Sequence, residues 1–182
     1  GEHMTAQEFG SFFILLVVAG NETTTKLLGN AWYWAWRNPA ERAKPFTDPE
    51  RVPAWVEETL RYDTSSQMLA RITTEDVTLH DTTIPAGDRV VLVVGSANRD
   101  ERVFTDPDVY DLDRPERELQ QIASFGFGRH FCLGTSLARL ELRILMEESL
   151  KRFPEMEING RPEYVESPFV NQLKRLPVRL RP

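Results

Sequence analysis

The longest apolar stretch of the sequence is FFILLVVAG, residues 12–20, and it is flanked by Glu8 and Glu22. Thr5 followed three positions later by Glu8 is a capping box, which marks a helix start. No proline follows until Pro39, so the pattern predicts one helix of about 32 residues, about 48 Å long. A helix of that length needs a large body of protein on both sides. We expect the apolar run to be its buried side, because nine residues fall well short of the roughly 20 that span a membrane.

The apolar run ends in weak helix formers, since residues 20–25 contain a glycine and three threonines. A locally weak segment inside a long helix often marks a functional distortion. Gly20 shares one helix face with Thr23 and Thr24, and a threonine hydroxyl that leaves the helical ladder would open a pocket. Glu22 beside Thr23 forms an acid–alcohol pair suited to relaying protons. The alternative is a solvated polar stripe in which each threonine bonds its own backbone.

Prolines and glycines divide the rest of the chain into shorter elements. A short helical stretch and a loop follow Pro39, and Pro53 suits the first turn of the next helix. Residues 95–124 lack clean periodicity, which predicts a long ordered meander. A strongly helical pattern covers residues 133–152, and the tail from Pro154 predicts short edge strands and turns. Strands are expected over residues 69–73, 77–80 and 89–94, with a turn at residues 85–88.

Composition and charge narrow the class of protein. The chain is 41% hydrophobic and 27% charged, an ordinary globular mixture. With 22 Lys and Arg against 28 Asp and Glu, the net charge of −6 argues against nucleic-acid binding, which rests on neutralising phosphates. A single cysteine cannot form an internal disulfide, and no basic segment precedes the apolar run as in a signal peptide. We therefore expect a cytoplasmic protein with no membrane segment. The first residues, GEHM, are either a cloning scar or the start of a chain that begins within a longer protein.

The single cysteine, Cys132, lies in the segment FGFGRHFCLG, directly before a predicted helix. A lone cysteine is more often a small buried apolar residue than a reactive one. Here the helix macrodipole and the charges of Arg129 and His130 favour a thiolate, and the glycines permit a flat group to lie against the loop. One thiolate fits a four-ligand zinc site badly, but it fits the single axial ligand of a haem iron.

The pattern Phe125-x-x-Gly128-x-His130-x-Cys132-x-Gly134 resembles the haem-binding signature of the cytochrome P450 monooxygenases. The resemblance implies a haem (iron protoporphyrin) whose iron takes the Cys132 thiolate as its axial metal ligand. It also places Arg71 and His130 against the haem propionates, where charge-assisted hydrogen bonds are strong. The cofactor-binding residues implied are Arg71, Phe125, Gly126, His130, Cys132 and Gly134.

A second motif of the same family matches AGNETT, residues 19–24, which resembles the oxygen-activating groove of the family's long central helix. The resemblance makes Glu22 and Thr23 catalytic residues that deliver protons to bound dioxygen. Without the cysteine loop, the solvated polar stripe would be the favoured interpretation of these residues.

A third motif is Glu58-x-x-Arg61, joined by Arg114 in DLDRP, which resembles the family's buried triad of one Glu and two Arg. Its implied role is structural, since it would lock the meander against the helix and so position the cysteine loop. Arg99, in ANRDE, fits a family structural position less specifically.

The resemblance implies a mainly α fold with small β-sheets. Residues 1–182 would be the C-terminal part of a single cytochrome P450 domain, with the N-terminal part of the fold absent. The expected order is long central helix, Glu-x-x-Arg helix, meander, cysteine loop and following helix. Such a chain would expose apolar surface on the long helix, bind haem poorly or not at all, and self-associate.

The implied function is an oxidoreductase, a monooxygenase that inserts one atom of dioxygen into a small apolar organic substrate. Electrons would come from a ferredoxin-type redox partner and its reductase, as in soluble bacterial members, with the partner docking near Arg129, Arg139 and Arg143. The substrate contacts expected are Val18, Ala19, Met68, Leu69, Phe169 and Val170.

Two alternatives remain open from the sequence. The first is a haem-free C-terminal fragment without activity, acting only as a folded or self-associating module. A haem-thiolate protein of another kind, for peroxygenation or ligand sensing, is the third hypothesis, and Glu22 beside Thr23 argues against it because such proteins need no proton relay.

Overall fold

A computed structural model describes residues 3–167, 169 and 171–181 of the chain. Its first element is helix α1, which runs without interruption over Ala6–Arg37, 32 residues, as the sequence predicts. The predicted capping box is present. The Thr5 hydroxyl accepts a hydrogen bond from the Glu8 amide at 3.2 Å, and the Glu8 carboxylate accepts one from the Thr5 amide at 2.8 Å.

The other helices are shorter and follow the predicted order. Pro39 and Pro53 each lie in the first turn of a helix, where the missing amide hydrogen costs nothing. The helices are α2 (Pro39–Thr47), α3 (Val52–Tyr62), α4 (Val94–Ala97), α5 (Glu116–Leu119) and α6 (Thr135–Arg152), with 3₁₀ turns at Pro49–Arg51 and Gly128–His130. Helix α6 begins two residues later than predicted, because Gly134 is its N-cap.

The strands form small antiparallel pairs, so the predicted mainly α fold with small β-sheets is confirmed. In chain order they are β1 (Leu69–Ile72), β2 (Val77–Leu79), β3 (Thr82–Ile84), β4 (Arg89–Leu92), β5 (Glu157–Ile158), β6 (Glu163–Tyr164), β7 (Leu173–Arg175) and β8 (Val178–Arg179). The pairs are β1 with β4, β2 with β3, β5 with β8, and β6 with β7.

Two strand predictions need correction. The sequence pattern missed β3, which pairs with β2 across a tight turn at His80, whose φ is +53°. That turn lacks the Asn-Gly or Asp-Gly pair that signals a hairpin in a sequence. The expected strand over residues 89–94 ends at Leu92, since the chain turns into α4, where Val94 is buried.

The hydrophobic core lies where the C-terminal half of α1 meets α3, α6 and the meander. Trp55 of α3 is fully buried, packs edge-to-face on Trp32 of α1 at 4.9 Å between ring centroids, and donates to the Ala31 carbonyl at 3.2 Å. Helix α6 contributes Leu142 and Met146, which lie four residues apart and so share one face.

The apolar run of α1 is exposed in this chain, and the expectation that it is buried is wrong here. Side chains from Phe12 at 39% to Ile14 at 65% remain accessible to solvent, because the other elements of the chain pack on the C-terminal half of the helix. By length and composition alone, α1 is also long and apolar enough to cross a membrane.

Candidate functional site

The cysteine loop, residues 125–134, is closed by hydrogen bonds of its own backbone. The Cys132 amide donates to the Phe125 carbonyl at 2.9 Å, and the Phe131 amide donates to the Gly128 carbonyl at 3.1 Å. Gly126 and Gly128 have φ of +71° and +70°, a conformation that costs a residue with a Cβ about 1–2 kcal/mol. The glycines therefore permit the turn that brings Cys132 back to the start of the loop.

Cys132 is a free, exposed cysteine whose backbone groups are bonded within the loop. Its carbonyl accepts from the Thr135 hydroxyl at 2.9 Å. A Cβ on Gly134 would lie 3.9 Å from the Cys132 Sγ, at ordinary contact distance. Since Thr135 is the first residue of α6, the thiol lies near the N-terminus of that helix, as predicted.

Exposed apolar side chains lie close to the thiol along the chain. Phe127, Phe131 and Leu133 are 67%, 53% and 82% exposed. Among the described residues, no group of three or more His, Cys, Asp and Glu side chains could hold a metal ion. A metal held by Cys132 would therefore need its remaining ligands from a prosthetic group, and a flat apolar one such as haem fits these residues.

Glu58, Arg61 and Arg114 are brought together in the interior. The Arg61 guanidinium binds Glu58 through two hydrogen bonds of 2.8 Å and 2.7 Å, and Arg114 Nε donates to Glu58 Oε2 at 3.0 Å. The side chains of all three are no more than 2% exposed. Arg114 also binds a second carboxylate, that of Glu118, which was not predicted, although its spacing of four residues is the helical ion-pair spacing.

The ionisation of Arg114 and Glu118 follows from competing effects of burial and hydrogen bonding. Burial alone would lower the pKa of Arg114, but the charge of Glu58 and hydrogen bonds to Glu118 and Glu58 outweigh burial and raise it. Burial likewise acts to raise the pKa of Glu118, but hydrogen bonds from Arg114 and Thr105 outweigh it, and the pKa lies below its usual value. Both groups are therefore held in their charged forms.

The same cluster ties the meander to the cysteine loop. Arg61 donates to the carbonyls of Asn98, Pro107 and Val109 at 2.8–3.0 Å. Asn98, which is buried, accepts from the Ala123 amide at 2.7 Å and donates to the Ser124 hydroxyl at 2.8 Å. Because Ser124 directly precedes the loop, the contacts run from α3 to the residue before the loop. Neither Asn98 nor Ser124 could be predicted, because both lie in an aperiodic segment.

Arg99 lies beside this cluster and is partly exposed to solvent. It donates to the Tyr62 carbonyl at 2.9 Å, pairs with Asp108 at 2.6 Å and stacks over the Tyr62 ring at 4.0 Å. These contacts hold the start of the meander on the end of α3.

The AGNETT segment is regular α-helix, so the expected distortion of α1 is absent from it. Thr23 donates to the Ala19 carbonyl at 2.7 Å and Thr25 to the Asn21 carbonyl at 2.8 Å, the backbone bonding that the alternative interpretation describes. Glu22 is exposed. Within the described part of the chain, no hydrogen bond joins Glu22 or Thr23 to the cysteine loop.

A groove of about 470 Å³ lies between α1 and α6, beside the AGNETT segment of α1. Gly20 and Thr24 line it on one side, and Glu141 and Leu145 on the other. Thr24 is buried, whereas Thr23 is half-buried. The groove thus lies on the side of Thr24, while the Thr23 hydroxyl is turned back to its own helix.

The cationic residues predicted to meet haem propionates are exposed. Arg71 lies on β1 opposite Val90, and its guanidinium donates to the adjacent Ala70 carbonyl at 2.9 Å. His130 is exposed in the 3₁₀ turn of the cysteine loop. Both side chains are accessible to an anionic group.

The predicted substrate contacts fall in two places. Val18 and Ala19 are exposed on α1, whereas Met68 and Leu69 are half-buried at the start of β1. The Phe169 carbonyl accepts from the Gln67 amide at 3.0 Å, so the tail contacts the segment that carries Met68. Val170 lies outside the described residues.

The three arginines predicted to form a docking surface differ in their surroundings. Arg129 is exposed in the cysteine loop, and Arg143 pairs along its own helix with Glu147 at 2.7 Å. Arg139 instead binds Glu57 of α3 through two hydrogen bonds, of 2.5 Å and 2.9 Å. The Arg139 guanidinium is thus bound to another helix of the same chain.

The fold is mainly helical, and its lone exposed thiol lies in a loop that contains glycines. These features define a class of protein in which one cysteine can bind the metal of a prosthetic group. The family model for Cytochrome P450 matches residues 50–175, and this chain therefore belongs to the cytochrome P450 family. Membership implies a haem with a cysteine thiolate, for which Cys132 is the one candidate in the sequence.

Relatives and solved structures agree with this membership. The chain is 53% identical to cytochrome P450 123 of Mycobacterium tuberculosis over 160 residues, which cover 87% of this chain and 39% of that protein. The crystal structure of P450BioI in complex with acyl carrier protein ligated to hexadec-9Z-enoic acid superposes with a TM-score of 0.94 at 38% identity, covering 100% of this chain and 47% of that one. The structure of CYP109E1 of Bacillus megaterium in complex with testosterone also superposes with a TM-score of 0.94. It is 41% identical, and the match covers 99% of this chain and 50% of that one. The chain thus spans about half the length of these proteins or less.

Proposed function

We propose that this chain is the haem-binding portion of a bacterial monooxygenase that inserts one atom of dioxygen into an apolar organic substrate. The observation that carries the proposal is the cysteine loop, which presents the free Cys132 thiol close to exposed apolar side chains, with its backbone groups satisfied. When bound, the haem would supply the activation of dioxygen, and thiolate ligation favours cleavage of the O–O bond.

The residues of this chain would position that group and manage protons. Cys132 would hold the iron, and Phe125, Gly126 and Gly134 would line the loop beneath the ring. The side chains of Arg71 and His130 are both exposed and would bind the propionates. Thr23 donates its hydroxyl hydrogen to the Ala19 carbonyl, so the lone pairs of its oxygen remain able to accept a hydrogen bond. Glu22 is exposed to water and would be the acid of the proposed proton path.

The substrate and partner follow from chemistry and from similar proteins. A fatty acyl group and a steroid appear in the complexes of the two solved neighbours, which supports a largely apolar substrate near Val18, Ala19, Met68, Leu69 and Phe169. A ferredoxin-type partner with its reductase would supply electrons, docking through Arg129 and Arg143. The single unpaired cysteine supports a cytoplasmic location.

The test is a carbon monoxide difference spectrum of this chain. The chain is expressed with a haem precursor, reduced and exposed to carbon monoxide, with Cys132→Ser as the matched control. A long-wavelength Soret band typical of thiolate-ligated haem, lost in the control, would support the proposal for this chain by itself. No haem in either variant would instead agree with the expectation that the chain binds haem poorly without the N-terminal part of the fold. Haem that binds equally in both variants would contradict a role for Cys132 as ligand.

A second candidate function is a haem-free module that associates with itself. The exposed apolar run of α1 favours it, because eight of its side chains from Phe9 to Val18 are between 39% and 65% exposed, and patches of that kind mark interaction sites. Sedimentation would show a dimer or larger species. A monomer with a native-like near-UV spectrum would rule this candidate out.

A further inference from the structure

Two neighbouring carboxylates on α3 bind arginines from different parts of the chain. Glu58 faces the interior and holds Arg61 and Arg114. Glu57 faces α6 and accepts from Arg139 at both oxygens, at 2.5 Å from Nε and 2.9 Å from Nη2. Bidentate pairing of this kind fixes the plane of the guanidinium as well as its position.

That guanidinium plane lies over an aromatic ring of the cysteine loop. The Arg139 Cζ is 4.7 Å from the centroid of the Phe125 ring, within the range of a cation–π contact. Phe125 is half-buried and packs against the core. Its carbonyl accepts the hydrogen bond of the Cys132 amide at 2.9 Å. One continuous series of contacts therefore leads from Glu57 through Arg139 and Phe125 to the amide of Cys132.

Arg143 on the same helix provides an internal comparison. Its partner Glu147 lies on its own helix, at the local spacing of four residues, and its side chain is 53% exposed against 37% for Arg139. The hydrogen bonds to Glu57 raise the pKa of Arg139 despite its partial burial. Arg139 is thus a permanent cation committed to contacts within the chain.

We propose that Arg139 is a positioning residue for Cys132, acting through the ring and carbonyl of Phe125, and that it does not belong to a partner-docking surface. The proposal rests on the proposed function only for the identity of the group that Cys132 would hold. The position of the loop itself can be measured without haem.

The experiment is hydrogen exchange of the Cys132 amide by NMR in this chain without haem. Arg139→Gln and Glu57→Gln remove the pair from either side, and Arg143→Gln is the control on the same helix. We expect about a tenfold loss of protection at the Cys132 amide in the first two variants, with no change in the control. The Met146 amide, in the core of the same helix, reports any general loss of stability and should keep its protection.

Unchanged protection at Cys132 in Arg139→Gln, or an equal loss at Met146, would overturn the proposal. If Arg139→Gln does not fold, Glu57→Gln is judged by the same criteria. The haem-loaded chain gives a separate readout, since Arg139→Gln should lower the fraction of thiolate-type carbon monoxide spectrum relative to Arg143→Gln. If the wild-type chain takes up no haem, the proposed function fails for this chain by itself, while the exchange result still decides the role of Arg139.

Discussion

Glu58 and Arg61 face each other through two hydrogen bonds, with both side chains excluded from solvent. The same carboxylate also binds Arg114 of the meander and accepts from the Asp111 amide at 2.9 Å. A carboxylate with four donors has its charge fully compensated, so the ions can remain buried. The cluster therefore fixes an aperiodic segment to α3 by charge and hydrogen bonding, where no ladder of backbone bonds is available.

Removal of the shared carboxylate should be the costliest single change at this site. Glu58→Gln leaves Arg61 buried without a counter-charge and leaves Arg114 with Glu118 as its remaining partner, and breaking a buried pair costs about 3–5 kcal/mol. Urea unfolding would measure the loss of unfolding free energy. Glu147→Gln, which breaks the exposed pair with Arg143, should cause no measurable change. Similar losses in both variants would show that burial of the cluster does not set its contribution.

Glu118 should make the chain less stable in acid. Hydrogen bonds from Arg114 and Thr105 outweigh the effect of burial and lower the pKa of Glu118 in the folded state. The unfolded state therefore binds more protons than the folded state as the pH falls. Its contribution is fully present above the unfolded pKa, about 4.5, and is lost as the pH falls through the lower folded pKa. Unfolding free energies measured from pH 6 downwards should therefore fall less steeply with acid in Glu118→Gln. An identical slope in the variant would contradict the shift.

Local signals were enough to predict the long helix and the order of the elements. The capping box of Thr5 and Glu8 and the lack of proline before Pro39 define α1, and both are properties of neighbouring residues. The glycines around Cys132 likewise signal a tight loop before a helix. Such features depend on backbone preferences that act within a few residues.

Burial and long-range polar contacts could not be predicted in the same way. The residues from Phe12 to Val18 look like a buried face, but burial depends on which elements pack there. Asn98 binds Ala123 and Ser124 across 25 and 26 residues, in a segment with no periodicity. The position of Arg139 over Phe125 likewise depends on the packing of α6 against α3, which sequence spacing does not encode.

The two faces of α6 should respond differently to truncation. Leu142 is 1% exposed in the core, whereas Leu137 is 58% exposed on the same helix. Leu142→Ala should cost about 2–5 kcal/mol through lost burial and a residual cavity, and Leu137→Ala about 0.5 kcal/mol or less. Thermal and urea unfolding of the two variants would measure this difference. An equal cost would mean that the Leu137 face is covered in solution, for example by a second copy of the chain.

Thr23 and Thr25 form a matched pair that can separate proton delivery from helix stability. Each hydroxyl donates to the carbonyl four residues earlier, at 2.7 Å and 2.8 Å. Replacing either by valine keeps the branched shape and removes the hydroxyl, so both variants should unfold with free energies within about 0.5 kcal/mol of each other. In the haem-loaded chain supplied with electrons, only Thr23→Val should divert dioxygen to hydrogen peroxide, because Thr23 is the hydroxyl next to Glu22. The measurement is peroxide formed per dioxygen consumed. Equal peroxide yields in the two variants would remove Thr23 from the proposed proton path and leave Glu22 as its remaining candidate.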